Sequence, residues 1–246
     1  MPWLWFCLAL SLIGPTICWK LGARMRWMFL GIASWMLALI LKNALVYLLE
    51  SAGAGHWPIA SQGVLAGTIS AACELGAAAV FLRKPSVRLI DAIGFGVAIG
   101  SFEVVFTLGV GFLEKFDDNL RFAGTPFDFV DGMFLFERFF AVIGHTAERV
   151  LIFVALFCRQ WLPAAIAFVT FSFVDGLAAH GLAANWNWEN AAVNFRFQLT
   201  VAAITLIEGT AAAWFVRKHY SKLTHANSRE TEKRESKDAP ATGAVN

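Results

Sequence analysis

The sequence predicts an all-α fold: a polytopic membrane bundle of about seven transmembrane helices. Of its 246 residues, 58% are hydrophobic and only 15% are charged, which is outside the range of ordinary soluble domains. The apolar residues are also grouped in runs of about 20, the length that crosses the hydrocarbon core of a bilayer. These runs fall at residues 2–19, 27–49, 59–82, 90–112, 133–157, 162–182 and 195–216.

The positions of the basic residues predict the orientation of the bundle. Lysine and arginine follow the first, third, fifth and seventh runs, whereas the opposite connections are acidic or lack them. The positive-inside rule then places the amino terminus outside and the end of the seventh helix in the cytoplasm. The first run has no basic residue before its apolar part, so it is expected to remain as a helix and not to be removed as a signal peptide.

Beyond the bundle, the sequence offers little chemistry. Residues 1–218 are predicted to be one transmembrane domain, and residues 219–246 a disordered cytoplasmic tail. The four cysteines lie in or beside apolar runs without a CxxC pair, which indicates neither a disulfide framework nor a thiolate zinc site. A net charge of +2 gives no indication of a nucleic-acid partner. The absence of eukaryotic retention and lipidation signals is compatible with a bacterial plasma membrane, which is the expected location.

The fifth apolar run carries the residues with the highest free-energy cost of insertion into a membrane. Glu137, His145 and Glu148 lie with Ala141 on one helical face, because they are three or four residues apart. Each charge at a bilayer centre costs about 2.5–3.5 kcal/mol on insertion scales. This polar face is therefore predicted to point into the bundle.

Two further acids stand among small residues. Glu74 in the third run shares a face with Gly63, Gly67, Ser70 and Ala78, and Glu103 in the fourth shares one with Gly96, Gly100, Thr107 and Gly111. Small residues let helices approach closely, so both stripes predict helix contacts that direct the acids inward. Glu74, Glu103, His145 and Glu148 are predicted to lie within roughly 9 Å of one another in depth, at about 1.5 Å per residue.

This grouping is suited to hydrolysis. Glu74 and Glu103 could share a proton as acid and base, and His145 could donate to an oxyanion. The same three side chains could instead bind zinc, although the chain has no HExxH motif. Asp175, Glu208 and Lys42 are second-rank candidates.

Structural roles compete with each of these assignments. An intramembrane acid can be a hydrogen-bonded contact between helices, and Lys42 is expected to neutralise a carboxylate. Glu137 with Arg138 could form a salt bridge at the membrane interface. Arg149, near the inner end of its helix, could snorkel or pair with an acid.

Three motifs resemble those of the YhfC-type intramembrane proteases, relatives of the PrsW and CAAX-processing (Abi) membrane peptidases. They are the acid of Cys73–Gly76, the glycine-rich Gly94–Glu103, and Glu137-Arg138 followed by Ala141 and His145. The resemblance implies a helical bundle with a water-accessible cavity, in which glutamates activate water and histidines hold the oxyanion. It assigns catalysis to Glu74, Glu103 and His145, together with Glu137 and Asp175.

The chain departs from this pattern at two positions. Related peptidases carry Glu-Glu where this chain has Cys73-Glu74, and their late HxxxD motif has Phe171 in place of the histidine. Either His145 and Asp175 suffice, or the fold serves binding or transport.

The predicted function is an intramembrane peptidase that uses glutamate-activated water and no cofactor, with zinc as the alternative. Its partners would be membrane lipids and a membrane protein or lipidated peptide as substrate. The alternatives are a solute or proton-coupled transporter, whose site would also lie at the midplane, and a catalytically silent membrane scaffold.

Overall fold

The computed structural model describes residues 2–53, 56–114, 132–187 and 190–238, and these residues form seven α-helices. The helices are α1 (Pro2–Lys20), α2 (Met25–Ser51), α3 (Ile59–Leu82), α4 (Leu89–Glu114), α5 (Gly132–Cys158), α6 (Trp161–Ala183) and α7 (Ala191–Asp238). No strand occurs in the described ranges. The all-helical class is confirmed, and α3 begins and ends where the sequence predicts it.

Six helices, α2 to α7, are long and apolar enough to cross a membrane. Their outward faces carry large apolar side chains; Phe29, Val64 and Ile207 are each more than 60% exposed. Such faces are stable only against lipid or another apolar surface. The length and apolar character of these helices therefore indicate a multi-pass membrane protein.

Helix α5 lies at the centre of the bundle, in contact with α3, α4, α6 and α7. Its buried apolar side chains Leu151, Phe153 and Val154 join the main core. Helices α1 and α2 both pack on α4, and α2 also packs on α3. The polar face of α5 is thus enclosed by other helices, as its sequence predicts.

Both glycine stripes form close helix contacts. A Cβ added to Gly100 would lie 2.6 Å from the Cα of Val142, and one added to Gly67 would lie 2.0 Å from the backbone oxygen of Ser172. The stripe of α4 therefore fits against α5, and that of α3 fits against α6. This close approach brings Glu103, one turn beyond Gly100, within reach of α5.

The end of the bundle differs from the prediction. Helix α7 continues to Asp238, so residues 219–238 are helical and the predicted start of a disordered tail at residue 219 does not hold. Leu223 belongs to the core and is 2% exposed, and the residues after it are rich in the helix formers Glu, Lys and Arg. Residues 239–246, and residues 115–131 of the predicted acidic loop, lie outside the described part of the chain.

Candidate functional site

A polar cavity of about 200 Å³ lies between α5, α6 and α7, with one side chain from α4. Four of the five predicted catalytic residues line it: Glu103, Glu137, His145 and Asp175. Glu208 lines it too, whereas Glu74 does not. About half of the lining residues are polar or charged, and the rest are apolar or small residues of α5, α6 and α7.

Glu103 is held by two basic side chains of α5. Its Oε2 lies 2.5 Å from His145 Nε2, and its Oε1 accepts a hydrogen bond of 3.0 Å from Arg138 Nη1. The side chain is 22% exposed, whereas those of Arg138 and His145 are 8% and 10% exposed. The carboxylate therefore has a fixed position at the wall of the cavity.

His145 bridges two acids. While Nε2 contacts Glu103, Nδ1 lies 3.3 Å from Glu148 Oε2 and makes no hydrogen bond of good geometry within the described residues. The ring of Phe171 packs beside the imidazole, with 6.1 Å between the ring centroids. The hydrogen-bonded proton position of the imidazole is therefore at Nε2, shared with Glu103.

Arg149 joins Glu148 to Glu74. Its Nη1 donates to Glu148 Oε2 at 2.7 Å and its Nη2 donates to Glu74 Oε2 at 3.0 Å. Only 1% of the arginine is exposed, so it pairs inside the bundle and does not snorkel. Among the described contacts no hydrogen bond joins Glu74 to Glu103, the predicted acid–base pair; the partner of Glu74 is Arg149.

The chain of ionic contacts continues past Glu103. Arg138 also donates to Glu137, whose other oxygen accepts from Gln198 Nε2 at 3.3 Å. Glu137 and Arg138 are therefore part of the interior network. We call the connected series the α5 chain; in order, it is Glu74, Arg149, Glu148, His145, Glu103, Arg138 and Glu137.

A second group joins α2, α3 and α6. Lys42 Nζ donates to Ser70 Oγ at 3.0 Å and lies 3.5 Å from Asp175 Oδ2, and Ser70 also donates to Asp175. The expected neutralisation of a carboxylate by Lys42 is confirmed. Asp175, which these two residues hold, also lines the cavity.

Sequence reasoning missed the polar residues Thr170, Gln198 and Thr205. Thr170 and Thr205 line the cavity, and Gln198 contacts Glu137. Uncharged polar residues are common in apolar helices, so singly they give little signal. On α7, however, Gln198, Thr205 and Glu208 are separated by steps of three and four, with Val201 between the first two, and that face could have been read from the sequence.

Metal binding was the alternative use of these residues. Of the three predicted ligands, Glu103 and His145 contact each other, and Glu74 is bound to Arg149. No group of three or more His, Cys, Asp and Glu side chains placed to hold a metal ion occurs among the described residues.

Comparison with family models, curated proteins and solved structures found no match for this chain. The resemblance to the YhfC-type proteases therefore rests on its three motifs. Two of them, the glycine-rich Gly94–Glu103 and the segment from Glu137 to His145, meet at the cavity wall.

Proposed function

We propose that the chain is an intramembrane hydrolase that cleaves a peptide bond of a membrane-embedded or membrane-associated protein, or of a lipidated peptide. The observation that carries this proposal is the contact between Glu103 and His145 at the wall of a cavity inside the bundle. A positioned carboxylate beside an imidazole is a general-base arrangement, and burial strengthens its electrostatic effect on a transition state.

In the proposed reaction, Glu103 takes a proton from a water in the cavity while the water oxygen bonds to the carbonyl carbon. The carbonyl oxygen gains negative charge, and the positive charge of Arg138, which lines the cavity, is proposed to stabilise it. Glu74 would act indirectly: it binds Arg149, and Arg149 binds Glu148. Glu74 is thus proposed as a positioning residue.

Phe171, one of the departures from the family pattern, lies at the proposed site. Related peptidases carry histidine there, and in this chain the Phe171 ring packs beside His145 and lines the cavity. A histidine at this position would point at the same site. This member of the fold would then work with His145 alone, with Asp175 held by Lys42 and Ser70.

The composition of the site favours a second candidate, a proton-coupled transporter. The network contains more acids than bases: the carboxyl groups of Glu74, Glu103, Glu137, Glu148, Asp175 and Glu208 accompany the basic groups of Lys42, Arg138, Arg149 and His145. Surplus intramembrane carboxyl groups are typical of proton and cation pathways.

Cleavage of membrane-anchored peptides in liposomes, followed by mass spectrometry, tests the hydrolase. We expect Glu103→Gln and His145→Ala to abolish cleavage while the protein still inserts and folds. Asp91→Asn is the matched control, because it neutralises another buried, arginine-bound carboxylate of α4 outside the cavity, and should retain cleavage.

Normal turnover in both site variants would overturn the hydrolase. Proton-dependent solute uptake that is lost in Glu103→Gln would establish the transporter instead. Stoichiometric zinc in the parent and not in Glu103→Gln would convert the glutamate mechanism into a metal mechanism.

We further propose that all seven helices span a bacterial plasma membrane, with the amino terminus outside. Support comes from one end of the bundle, where the α1–α2 turn and the α3–α4 connection bring Arg24, Arg88 and Lys84 together. A reporter that is active only in the cytoplasm, fused after α7, should be active.

A further inference from the structure

Glu208 is a buried acid of the cavity that the hydrolytic scheme leaves unused. It is 2% exposed and belongs to α7, and it lines the same cavity as Glu103 of α4. Its described partner is a hydroxyl: Thr170 Oγ1 of α6 lies 2.6 Å from Glu208 Oε1. No lysine, arginine or histidine forms an ion pair with it among the described residues.

The hydrogen bonds of Thr170 bear on the state of this acid. Thr170 Oγ1 also lies 2.9 Å from the carbonyl oxygen of Ile166 and 3.2 Å from that of Ala167. A hydroxyl has one hydrogen to donate. If Glu208 were a carboxylate, it would compete with these two carbonyl oxygens for that single hydrogen.

A carboxylic acid removes the conflict. Glu208 then donates its own hydrogen to Thr170 Oγ1, and the Thr170 hydrogen is free for the carbonyl of Ile166, the usual bond of a helical threonine. A neutral acid also avoids the cost of burying a charge without a counter-ion. The charged groups that face Glu208 are Glu148, His145 and Arg149 of α5, and Asp175 lines the same cavity from α6.

We propose that Glu208 is the proton carrier of the cavity: a carboxylic acid that donates to Thr170 at rest and exchanges its proton with cavity water. This proposal deepens the hydrolase and, in its catalytic part, rests on that proposed function. The assignment of Glu208 as a proton carrier depends only on the contacts of Glu208 and not on the hydrolase.

In the hydrolase, the carrier completes the proton balance. Water gives one proton to Glu103 and bonds its oxygen to the carbonyl carbon. When the C–N bond breaks, the leaving nitrogen takes the Glu208 proton, so an amine and a carboxylic acid leave. The proton on Glu103 then returns to Glu208 through cavity water, since both residues line the same cavity.

Infrared spectroscopy of the full chain in lipid tests the carrier without a substrate. We expect a carboxylic-acid C=O stretching band that shifts in D₂O and disappears in Glu208→Gln. Thr170→Val keeps the acid and removes its acceptor, so it should shift the band and not abolish it. Glu103→Gln, which alters an acid bound to Arg138 and His145, should leave the band in place.

A band unchanged in Glu208→Gln would overturn the proposal. If that variant does not fold, Thr170→Val decides: a shifted band supports the carrier, and an unshifted band overturns it. Cleavage is measured in parallel. A parent that shows the Glu208 band but cleaves no peptide would support the carrier and overturn the hydrolase.

Discussion

The α5 chain and the cluster around Asp91 are both built from buried acids and arginines, yet they differ in what surrounds them. Asp91 is fully buried near the start of α4 and accepts bonds from the backbone and side chains of both Arg24 and Arg88. These bonds join the α1–α2 turn to the α3–α4 connection. Glu103, on the same helix, instead faces a cavity and contacts a histidine.

This difference separates a structural acid from a candidate catalytic one. A carboxylate saturated by two arginines has no free direction in which to meet water or a substrate. Glu103 has an arginine on one oxygen, an imidazole on the other and open volume beside it. Burial and an ion pair alone therefore do not indicate function; the cavity and the titratable neighbour do.

The largest expected effect comes from breaking the α5 chain at Arg149. Arg149→Met should lower the free energy of unfolding by about 3–5 kcal/mol, because it leaves Glu74 and Glu148 buried without their arginine. Arg24→Met should cost less, about 1.5–3 kcal/mol, since Arg24 is 31% exposed and Arg88 still holds Asp91. Thermal and denaturant unfolding in detergent measures both.

Adding Glu74→Gln to Arg149→Met is the internal check. The double variant should recover part of the loss, because one of the two uncompensated carboxylates is removed. If Arg24→Met proves as damaging as Arg149→Met, the two regions are energetically alike and the comparison fails.

A smaller effect is expected from separating α4 from α5. Gly100→Val places side-chain atoms against the backbone of Val142 and should cost about 1–3 kcal/mol. It should also reduce cleavage, since it moves Glu103 away from His145, while the Asp91 bonds persist at the other end of α4. The matched control is Gly76→Ala, where an added Cβ meets nothing within 4 Å.

The two glycine variants should therefore differ from each other in both cleavage and the free energy of unfolding. Gly76→Ala is expected to leave the free energy of unfolding unchanged or to raise it by up to about 1 kcal/mol, because alanine has the higher helix propensity. Full activity in Gly100→Val would show that the Glu103–His145 contact does not depend on the close approach of the helices.

The sequence predicts well both the helices and the helix faces that contact one another, because both follow from local patterns. Apolar runs set the helix lengths, and the glycines before Glu103 set the contact with α5. The partner of each acid is not local. Which arginine Glu74 meets depends on the rotation and depth of α3 against α5, and hydropathy fixes neither closely enough to choose between Arg138 and Arg149.

Two further features escaped prediction for related reasons. Asp91 lies near the start of its helix, where acidic residues are common, so its type gives no signal. The cluster forms only because Arg24 approaches from the α1–α2 turn. The extension of α7 was missed because hydropathy decides where a membrane run ends and says nothing about helix continuation in a charged segment. Propensity and the packing of Leu223 decide that.

The smallest effect is expected at Lys42, which tests whether the α2–α3–α6 group resembles the Asp91 cluster or the α5 chain. Lys42 and Asp175 are 29% and 32% exposed, and their contact is 3.5 Å. Such a pair contributes about 0–1 kcal/mol, so Lys42→Met should barely change unfolding. Cleavage should still fall, because Asp175 lines the cavity and would lose the lysine that holds it in place; Lys42→Arg, which keeps the charge, should restore activity. A loss of stability without a loss of cleavage would instead place this group with Asp91, as a structural contact between helices.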